Sequence, residues 1–296
     1  MAHSKLVWQS KLVLLLVLPF AGAGVVLQSH FFGENLPQVA IWTLGLSLIF
    51  GMVVIQLRAA TPGAAFTGAV LTASLMFSTA TFPYQPWRTA LVPVLAVFLL
   101  SFSATRLGRE QKERLGTAER RQGRTAAQVA ANLGVAAIAS SELVQSWLTD
   151  SGWFSRAGQV PTLLFAVGLA ALAEAAADTV SSEIGQVLGG QPRMITSLRE
   201  AEPGTDGAIS LIGTLAGAAA AVLVALAGTL ALGGGSAIFW ISCTSGVFGL
   251  FFDSLLGATL EQRGWLNNDG VNFLSTASAA ALALGVLALL PHSGVM

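Results

Sequence analysis

The sequence contains few charged residues for its length. Aspartate, glutamate, lysine and arginine make up 10% of the 296 residues, whereas a soluble globular chain carries about 25%. Hydrophobic residues make up 54%, and the mean hydropathy is +0.70. Because such a chain cannot cover its own surface in water, the composition indicates an integral membrane protein.

Cysteine and histidine are also scarce, which excludes several kinds of site. The one cysteine, Cys243, lies in an apolar run, so neither a disulfide framework nor a cysteine-built zinc site is available. The histidines His3, His30 and His292 are scattered near the two ends and form no constellation for a metal or a catalytic triad. The formal net charge is zero and only three residues are lysine, so no basic field attracts nucleic acid.

Long apolar runs predict about nine membrane-spanning helices, because a helix needs roughly 20 apolar residues to cross a bilayer. The first run follows Lys5 and Lys11 as in a signal peptide, but it continues to Leu27, which favours a retained helix. The predicted fold class is therefore all-α, a polytopic transmembrane helical bundle. The predicted spans are residues 9–28, 38–57, 63–82, 87–106, 126–148, 161–186, 207–232, 236–259 and 273–290.

The basic residues predict which end of the bundle faces the cytoplasm. Residues 106–124 hold seven lysines and arginines, and short loops rich in these residues stay on the cytoplasmic side. The predicted spans put residues 187–207 and 260–272 on the same face and the C-terminus on the other. The chain then divides into N-terminal transmembrane helices (1–105), a basic cytoplasmic loop (106–125) and a transmembrane core (126–296).

The sixth span carries ionisable side chains, which are costly in a membrane and are functional candidates for that reason. Glu174, Asp178 and Ser182 are four residues apart and share one helical face, and Thr179 and Glu183 repeat the spacing beside it. Carboxylates on adjacent turns suit a hard cation bound through oxygen. The alternatives are a buried structural network and, for Glu183, a helix end that emerges into water.

A glycine- and proline-rich stretch precedes the seventh span and predicts turns. Free N–H groups at the start of that helix suit a phosphate, which Arg193 and Arg199 could also contact. The alternative is that Thr205 or Asp206 is only the N-cap of the helix. The stretch is not a Walker loop, because no GxxxxGK[ST] motif exists in the chain. The candidate phosphate-binding residues here are Gly204, Thr205, Asp206, Gly207 and Ser210.

The eighth span carries a second carboxylate site, and the ninth begins with a polar cluster. Asp253 and Ser254 lie in an apolar helix, and Asn268 belongs to the cluster that follows. Two intramembrane aspartates, Asp178 and Asp253, in helices whose polar ends share one side favour a functional site. The alternatives are a hydrogen bond between helices for Asp253 and an ordinary helix cap for Asn268.

The fifth span begins with polar residues at four-residue spacing, namely Arg124, Gln128 and Asn132. The planar, permanently charged guanidinium of arginine suits a phosphate. The alternative is a positive-inside anchor followed by two amides that pack between helices. Taken together, carboxylates for Mg²⁺ and arginines for phosphate indicate phosphoryl or nucleotidyl transfer to a lipid-linked acceptor. Transporters also use intramembrane carboxylates, so a transporter or flippase stays an alternative.

Four strings occur in a characteristic order: ADTVSSEIGQVLGG, EPGTDGAISLIGTLAG, DSLLGATLEQ and WLNNDGVNFLST. They resemble the plant plastid phytyl-phosphate kinase family, to which human transmembrane protein nineteen and many prokaryotic proteins belong. The resemblance covers about residues 120–275 and extends distantly to phytol kinase, dolichol kinase and CDP-diacylglycerol synthase. It implies a CTP-dependent, Mg²⁺-dependent kinase that converts an isoprenyl monophosphate, such as phytyl phosphate of tocopherol synthesis, to the diphosphate.

The resemblance also implies that the core, residues 126–296, is the catalytic part of the chain and contains the site residues. Plant members carry Glu at the position of Asp206 and Glu-Ser at the position of Asp253-Ser254. The relatives often have a lysine in the loop before the glycine run, and this chain has none there, so Arg193 or Arg199 would have to replace it. The predicted catalytic residues are Asp178, Glu183, Asp206 and Asp253, with Mg²⁺ on Asp178 and Asp253. The predicted substrate- and nucleotide-binding residues are Arg124, Gln128, Asn132, Thr179, Ser182, Arg199, Gly204, Thr205, Gly207, Ser210, Ser254 and Asn268.

The same site residues also permit an alternative reaction. A CTP-dependent cytidylyltransferase acting on a lipid phosphate would need the same metal and nucleotide sites.

The motifs Gly185-x-x-x-Gly189 and Gly213-x-x-x-Gly217 permit close helix contacts. These contacts would form either within the chain or between the subunits of a homodimer.

Overall fold

The computed structural model describes residues 6–119, 121–150 and 160–289, so Lys5, Arg120 and the C-terminal residues 290–296 lie outside the described chain. The described residues are almost entirely helical, which confirms the predicted all-α fold class. Two short strands, β1 (Arg193–Met194) and β2 (Ala208–Ile209), pair in antiparallel fashion between α8 and α9. The helices are α1 (Val7–Ser29), α2 (Leu36–Gln56), α3 (Pro62–Ser78), α4 (Leu91–Arg106), α5 (Arg109–Leu115), α6 (Ala126–Ala139), α7 (Glu142–Asp150), α8 (Val160–Leu188), α9 (Leu211–Ala231), α10 (Ser236–Leu256) and α11 (Asn268–Leu289).

The structure has fewer spans than the sequence predicts. Six helices of the described chain are long and apolar enough to cross a membrane, and two bent pairs raise the number to eight if each pair is one span. The pairs are α4 with α5, bent by 66°, and α6 with α7, bent by 45°. The prediction of about nine is wrong because α3 has only 17 residues, and about 25 Å of helix is shorter than the roughly 30 Å hydrocarbon core.

Local sequence explains why both pairs bend. Gly108 follows α4 with φ +61°, in the left-handed region, and therefore ends that helix before α5 begins. After α6, the Ser141 hydroxyl accepts the N–H of Val144 at 3.4 Å, as a residue that caps a new helix does. The predicted span 126–148 is therefore two helices rather than one.

Loops that are far apart in the sequence meet at one end of the bundle. The Gln262 side-chain amide donates to the carbonyl oxygen of Asp206 at 2.8 Å. The Gln111 side-chain amide donates to the carbonyl oxygen of Gln186 at 3.4 Å. These loops therefore lie together, as predicted, whereas the assignment of this end to the cytoplasm stays a prediction. We call the end formed by residues 106–124, 187–207 and 260–272 the polar end.

Helix α8 forms the centre of the bundle and packs against α4, α6, α9, α10 and α11. Its alanines are almost fully buried, and α9 approaches it through glycine. A Cβ atom added to Gly217 would lie 2.6 Å from the carbonyl oxygen of Ala177, and one added to Gly213 would lie 2.7 Å from that of Ser181. The motif of Gly213 and Gly217 thus forms a contact within the chain, and a homodimer stays a prediction.

Replacing Gly217 with leucine should destabilise the protein, because the side chain would force α8 and α9 apart. Overpacking of this kind costs about 2 kcal/mol. The matched control is Gly22→Leu on α1, where an added Cβ would meet nothing within 4 Å. Thermal denaturation in detergent should show a lower apparent Tm for the first variant alone. Equal melting temperatures would contradict the contact.

Candidate functional site

A pocket opens at the polar end between α8, α10, the turn before α9 and the start of α11. Its volume is about 930 Å³, part of which is open to solvent. Because all four ionisable residues of its described lining are acidic, we call it the acidic pocket. Ten of the residues predicted from the sequence line it: Asp178, Ser182, Gly204, Thr205, Asp206, Gly207, Ser210, Asp253, Ser254 and Asn268.

Three carboxyl groups meet at the inner end of the acidic pocket. Asp178 on α8 lies close to Asp253 on α10, and Glu174, one turn earlier on α8, is only 1% exposed. Ser275 on α11 lies near both Glu174 and Asp253. Glu174 Oε1 and Asp253 Oδ2 are buried with no hydrogen-bond partner among the described residues. Carboxylates packed this closely repel one another unless a proton or a cation lies between them.

This arrangement fits a hard divalent cation such as Mg²⁺. Such a cation is bound by one or two carboxylates and completes its shell with water and substrate phosphates. Asp178 and Asp253 supply two carboxylates from two helices, and the buried Oδ2 of Asp253 is available as a ligand. Within the described ranges no group of three or more His, Cys, Asp or Glu side chains has the arrangement of a metal site. A cation here would therefore share its shell with phosphate oxygens, and the Mg²⁺ assignment stays a prediction.

The glycine-rich turn crosses the pocket, but it is not the start of a helix. Helix α9 begins at Leu211, and the hydroxyl of its N-cap, Ser210, accepts the N–H of Gly213 at 3.1 Å. The predicted start at residue 207, with Thr205 or Asp206 as the cap, is therefore wrong. The physical reason is the pairing of β2 with β1, which keeps residues 208–209 extended. Any phosphate contact by residues 204–207 must come from the turn itself.

Contact with the segment that follows α10 holds this turn in position. Gly207 has φ +74°, and a Cβ added to it would collide with the backbone of Ala258. Residues 257–261 form a single turn of π-helix directly after α10. Such turns occur frequently at functional sites. Glycine is thus required at 207 both for its conformation and for the close approach of the two segments.

The π turn introduces an acidic residue that the sequence analysis missed. Glu261 lines the acidic pocket and lies close enough to Asp206 and Asp178 to repel their carboxylates. Its string, DSLLGATLEQ, was recognised, and Glu261 has the same eight-residue spacing from Asp253 as Ser182 has from Glu174. That spacing could have identified it, but the predicted span ended at residue 259. Further lining residues outside the predicted set include Ser181, Gly185 and Gln186, all of which lie within a recognised string.

Arg124 lies behind the acidic pocket. Its backbone pairs with the connection between α2 and α3: its N–H donates to the Ala59 carbonyl and its own carbonyl accepts from Thr61, both at 3.0 Å. Its guanidinium donates to the Thr179 hydroxyl at 3.2 Å and is close enough to attract the Asp178 carboxylate. Arg124 and Thr179 thus form part of the wall of the pocket rather than its lining.

Three further predicted residues also lie outside the pocket lining. The Gln128 amide caps α6, since its Oε1 accepts the Thr125 N–H at 2.7 Å. The Asn132 Oδ1 accepts from the Asn272 amide at 3.1 Å, which links the wall to the lining. Arg199 is exposed, and it does not line the acidic pocket. The roles predicted for these three residues stay predictions.

Glu183 forms a buried ion pair with Lys112, which the sequence analysis did not foresee. The two side chains are 12% and 1% exposed, and Lys112 Nζ lies 2.5 Å from Glu183 Oε2. The same ammonium group donates to the carbonyl oxygens of Ala104 at 2.8 Å and Thr105 at 3.0 Å. Lys112 thus joins α5, the end of α4 and α8. The lysine is used for structure, and the charge of Glu183 is neutralised outside the acidic pocket.

Comparisons with known proteins assign the chain to a family of membrane proteins. The model of the family described as integral membrane protein DUF92 matches residues 45–280, which include α3, α4 and most of α2. An uncharacterized membrane protein of Synechocystis is 34% identical over 213 residues, 68% of this chain and 74% of that protein. In Arabidopsis thaliana, Protein PGR is 30% identical over 62% of this chain and 76% of its own length. Protein VTE6, chloroplastic, is 30% identical over 64% of this chain and 56% of its own length. No solved structure matches.

Removing Lys112 should destabilise the fold, because Lys112→Met leaves the Glu183 carboxylate buried without a partner. Breaking a buried pair in this way costs about 3 kcal/mol. The double variant Lys112→Met/Glu183→Leu should recover much of the apparent Tm measured in detergent. The matched control, Arg109→Met, breaks an exposed pair with Glu113 and should cost less than about 1 kcal/mol. A double variant no more stable than the single one would contradict this prediction.

Proposed function

Because the chain belongs to the integral membrane protein DUF92 family, we propose that it is a CTP-dependent kinase of isoprenyl monophosphates. The product would be the isoprenyl diphosphate, and a phytyl-like chain is the proposed substrate. The resemblance of the four motif strings to phytyl-phosphate kinases supports the substrate class. The observation that carries the proposal is the acidic pocket, where partly buried aspartates of two helices lie next to a glycine turn at the polar end of a membrane protein.

Each part of the pocket has a proposed role in binding the nucleotide. Asp178 and Asp253 would hold Mg²⁺, which neutralises phosphate charge when it is bound. The turn of residues 204–207 packs closely on the π turn, and it would bring backbone groups to the triphosphate. Glu261 and Asp206 add negative charge at the rim, which favours a metal-bound nucleotide over a free one. Arg124 would contact the acceptor phosphate from the wall.

The proposed reaction is an in-line phosphoryl transfer. An oxygen of the acceptor monophosphate forms a bond to the γ-phosphorus of CTP, while the bond from that phosphorus to the β–γ bridging oxygen breaks. CDP leaves with the bridging oxygen. The acceptor phosphate is already ionised at neutral pH, so the protein need not supply a strong base. What the side chains supply is position and charge neutralisation.

Incubation of the purified protein with CTP or ATP, Mg²⁺ and a series of prenyl monophosphates tests the reaction. Mass spectrometry of the lipids should show a prenyl diphosphate, formed together with CDP in the CTP reaction. A CDP-lipid formed with pyrophosphate would contradict the kinase and identify a cytidylyltransferase. Absence of any product, combined with nucleotide-independent uptake by sealed vesicles, would contradict both enzymes and favour a transporter.

Replacing either aspartate with asparagine tests the proposed metal ligands. Asp178→Asn and Asp253→Asn should each lower kcat by at least about a hundredfold, since a bound metal contributes several kcal/mol of charge stabilisation. The apparent Tm should stay the same or rise, because asparagine relieves the repulsion between the carboxylates. The control is Glu200→Gln, an exposed residue 3.7 Å from Arg193 and outside the pocket lining. Near-normal turnover in both aspartate variants would refute the assignment.

A further inference from the structure

A second cavity lies between α2, α3, α4 and α6, and the proposed nucleotide site does not use it. Its volume is about 980 Å³. Phe50, Phe98 and Phe102 line it in a row, with ring centroids 5.2 and 5.4 Å apart. The small residues Ala65 and Gly68 of α3 leave space beside this row. The cavity is therefore suited to an elongated apolar group, and we call it the arginine groove for the charges at its mouth.

Four arginines line the groove at the polar end: Arg58, Arg106, Arg109 and Arg124. Glu119 is the one acidic residue among the described residues of its lining. The Arg106 guanidinium carbon lies 4.3 Å from the centroid of the last phenylalanine in the row, so the basic mouth and the apolar wall are continuous. A groove that is basic at one end and apolar along its length complements an amphiphile with an anionic head.

The arginine groove and the acidic pocket share a wall. Arg124 lines the groove, and its guanidinium contacts Thr179 on α8 at 3.2 Å, next to Asp178. Asn132 also lines the groove, and it bonds at 3.1 Å to Asn272, which lines the pocket. Two polar contacts therefore connect the lining of the groove with α8 and with the lining of the pocket. A phosphate held by the arginines would lie beside the carboxylates.

We infer that the arginine groove binds the acceptor lipid, with its monophosphate on the arginines and its prenyl chain along α4. This inference rests on the proposed kinase function and gives the first four helices a role in it. From Val94 to Arg106, α4 rises about 18 Å at 1.5 Å per residue, enough for an extended chain of about a dozen carbons. Val94, Val97 and Phe98 line this length of the groove.

Opposite charge then separates the two substrates. The acidic pocket repels a lipid phosphate that carries no metal, whereas the arginines attract it. The carboxylates accept a nucleotide through the cation that it carries, a contact that the arginines of the groove cannot make. Each substrate is thus directed to its own side of the wall formed by Arg124 and Asn132, and the reacting phosphates meet at that wall.

Photolabelling tests the groove without requiring catalysis. A prenyl monophosphate with a diazirine at the end of its chain is added to the full-length protein in detergent, without nucleotide, and labelled peptides are mapped. Labels should lie on α3 and α4, and unlabelled phytyl monophosphate should remove them. Gly68→Leu, which fills the groove, should lower labelling at least about tenfold. Gly45→Leu on α2 makes the same change in open space outside the groove, and it should label like the wild type.

A second variant tests the head group even if Gly68→Leu fails to fold. Arg58→Gln/Arg106→Gln should lower labelling by the monophosphate probe about tenfold through lost charge-assisted contacts, while labelling by the corresponding prenyl alcohol stays the same. Labels outside α2, α3, α4 and α6, or equal competition by phosphatidylglycerol, would overturn the assignment. A wild-type protein that labels in the groove but forms no diphosphate would refute the kinase and leave the groove as a binding site.

Discussion

The structure depends on the burial of carboxyl groups inside a membrane protein. Glu174 is fully buried, and the partly buried Asp178 and Asp253 lie close to it, on two helices. An unpaired charge in such a position costs at least a few kcal/mol. Because the helices that carry these groups also form the centre of the bundle, the packing must accommodate them. A cation or a shared proton must in turn stabilise them.

Glycine provides the room for these carboxyl groups. A Cβ atom added to Gly249 on α10 would collide with the side chain of Glu174, and one added to Gly246 would lie 3.1 Å from the backbone nitrogen of Glu174. On the other side of α8, Gly217 lets α9 approach. The central helix is thus surrounded by small residues at the level of its charges. Close helix packing and the acidic site are therefore two consequences of one sequence feature, as is common where small residues line helix contacts in membranes.

Periodicity and hydropathy were sufficient to predict the helical fold, the shared face of Asp178 and Ser182, and the meeting of the loops at one end. They could not predict the number of spans, because the length of α3 depends on where it ends against its neighbours. The N-cap of α9 is Ser210 rather than Thr205 or Asp206, because the pairing of β1 with β2 keeps residues 208–209 extended. Glu261 was missed because the predicted span ended at residue 259, although its spacing from Asp253 is helical. The other two failures come from tertiary contacts that leave little trace in local sequence.

A basic loop in a membrane protein is ordinarily explained by orientation, and here that explanation is incomplete. Of the basic residues in 106–124, Lys112 is buried in an ion pair, and Arg106, Arg109 and Arg124 line a groove. Arg124 is held by backbone pairing with Ala59 and Thr61, residues of the α2–α3 connection. A residue that belongs to the wall of the acidic pocket is thus positioned by the N-terminal helices. The same positive charges that are predicted to orient the chain can therefore also bind an anion, because both uses require them at the same end of the bundle.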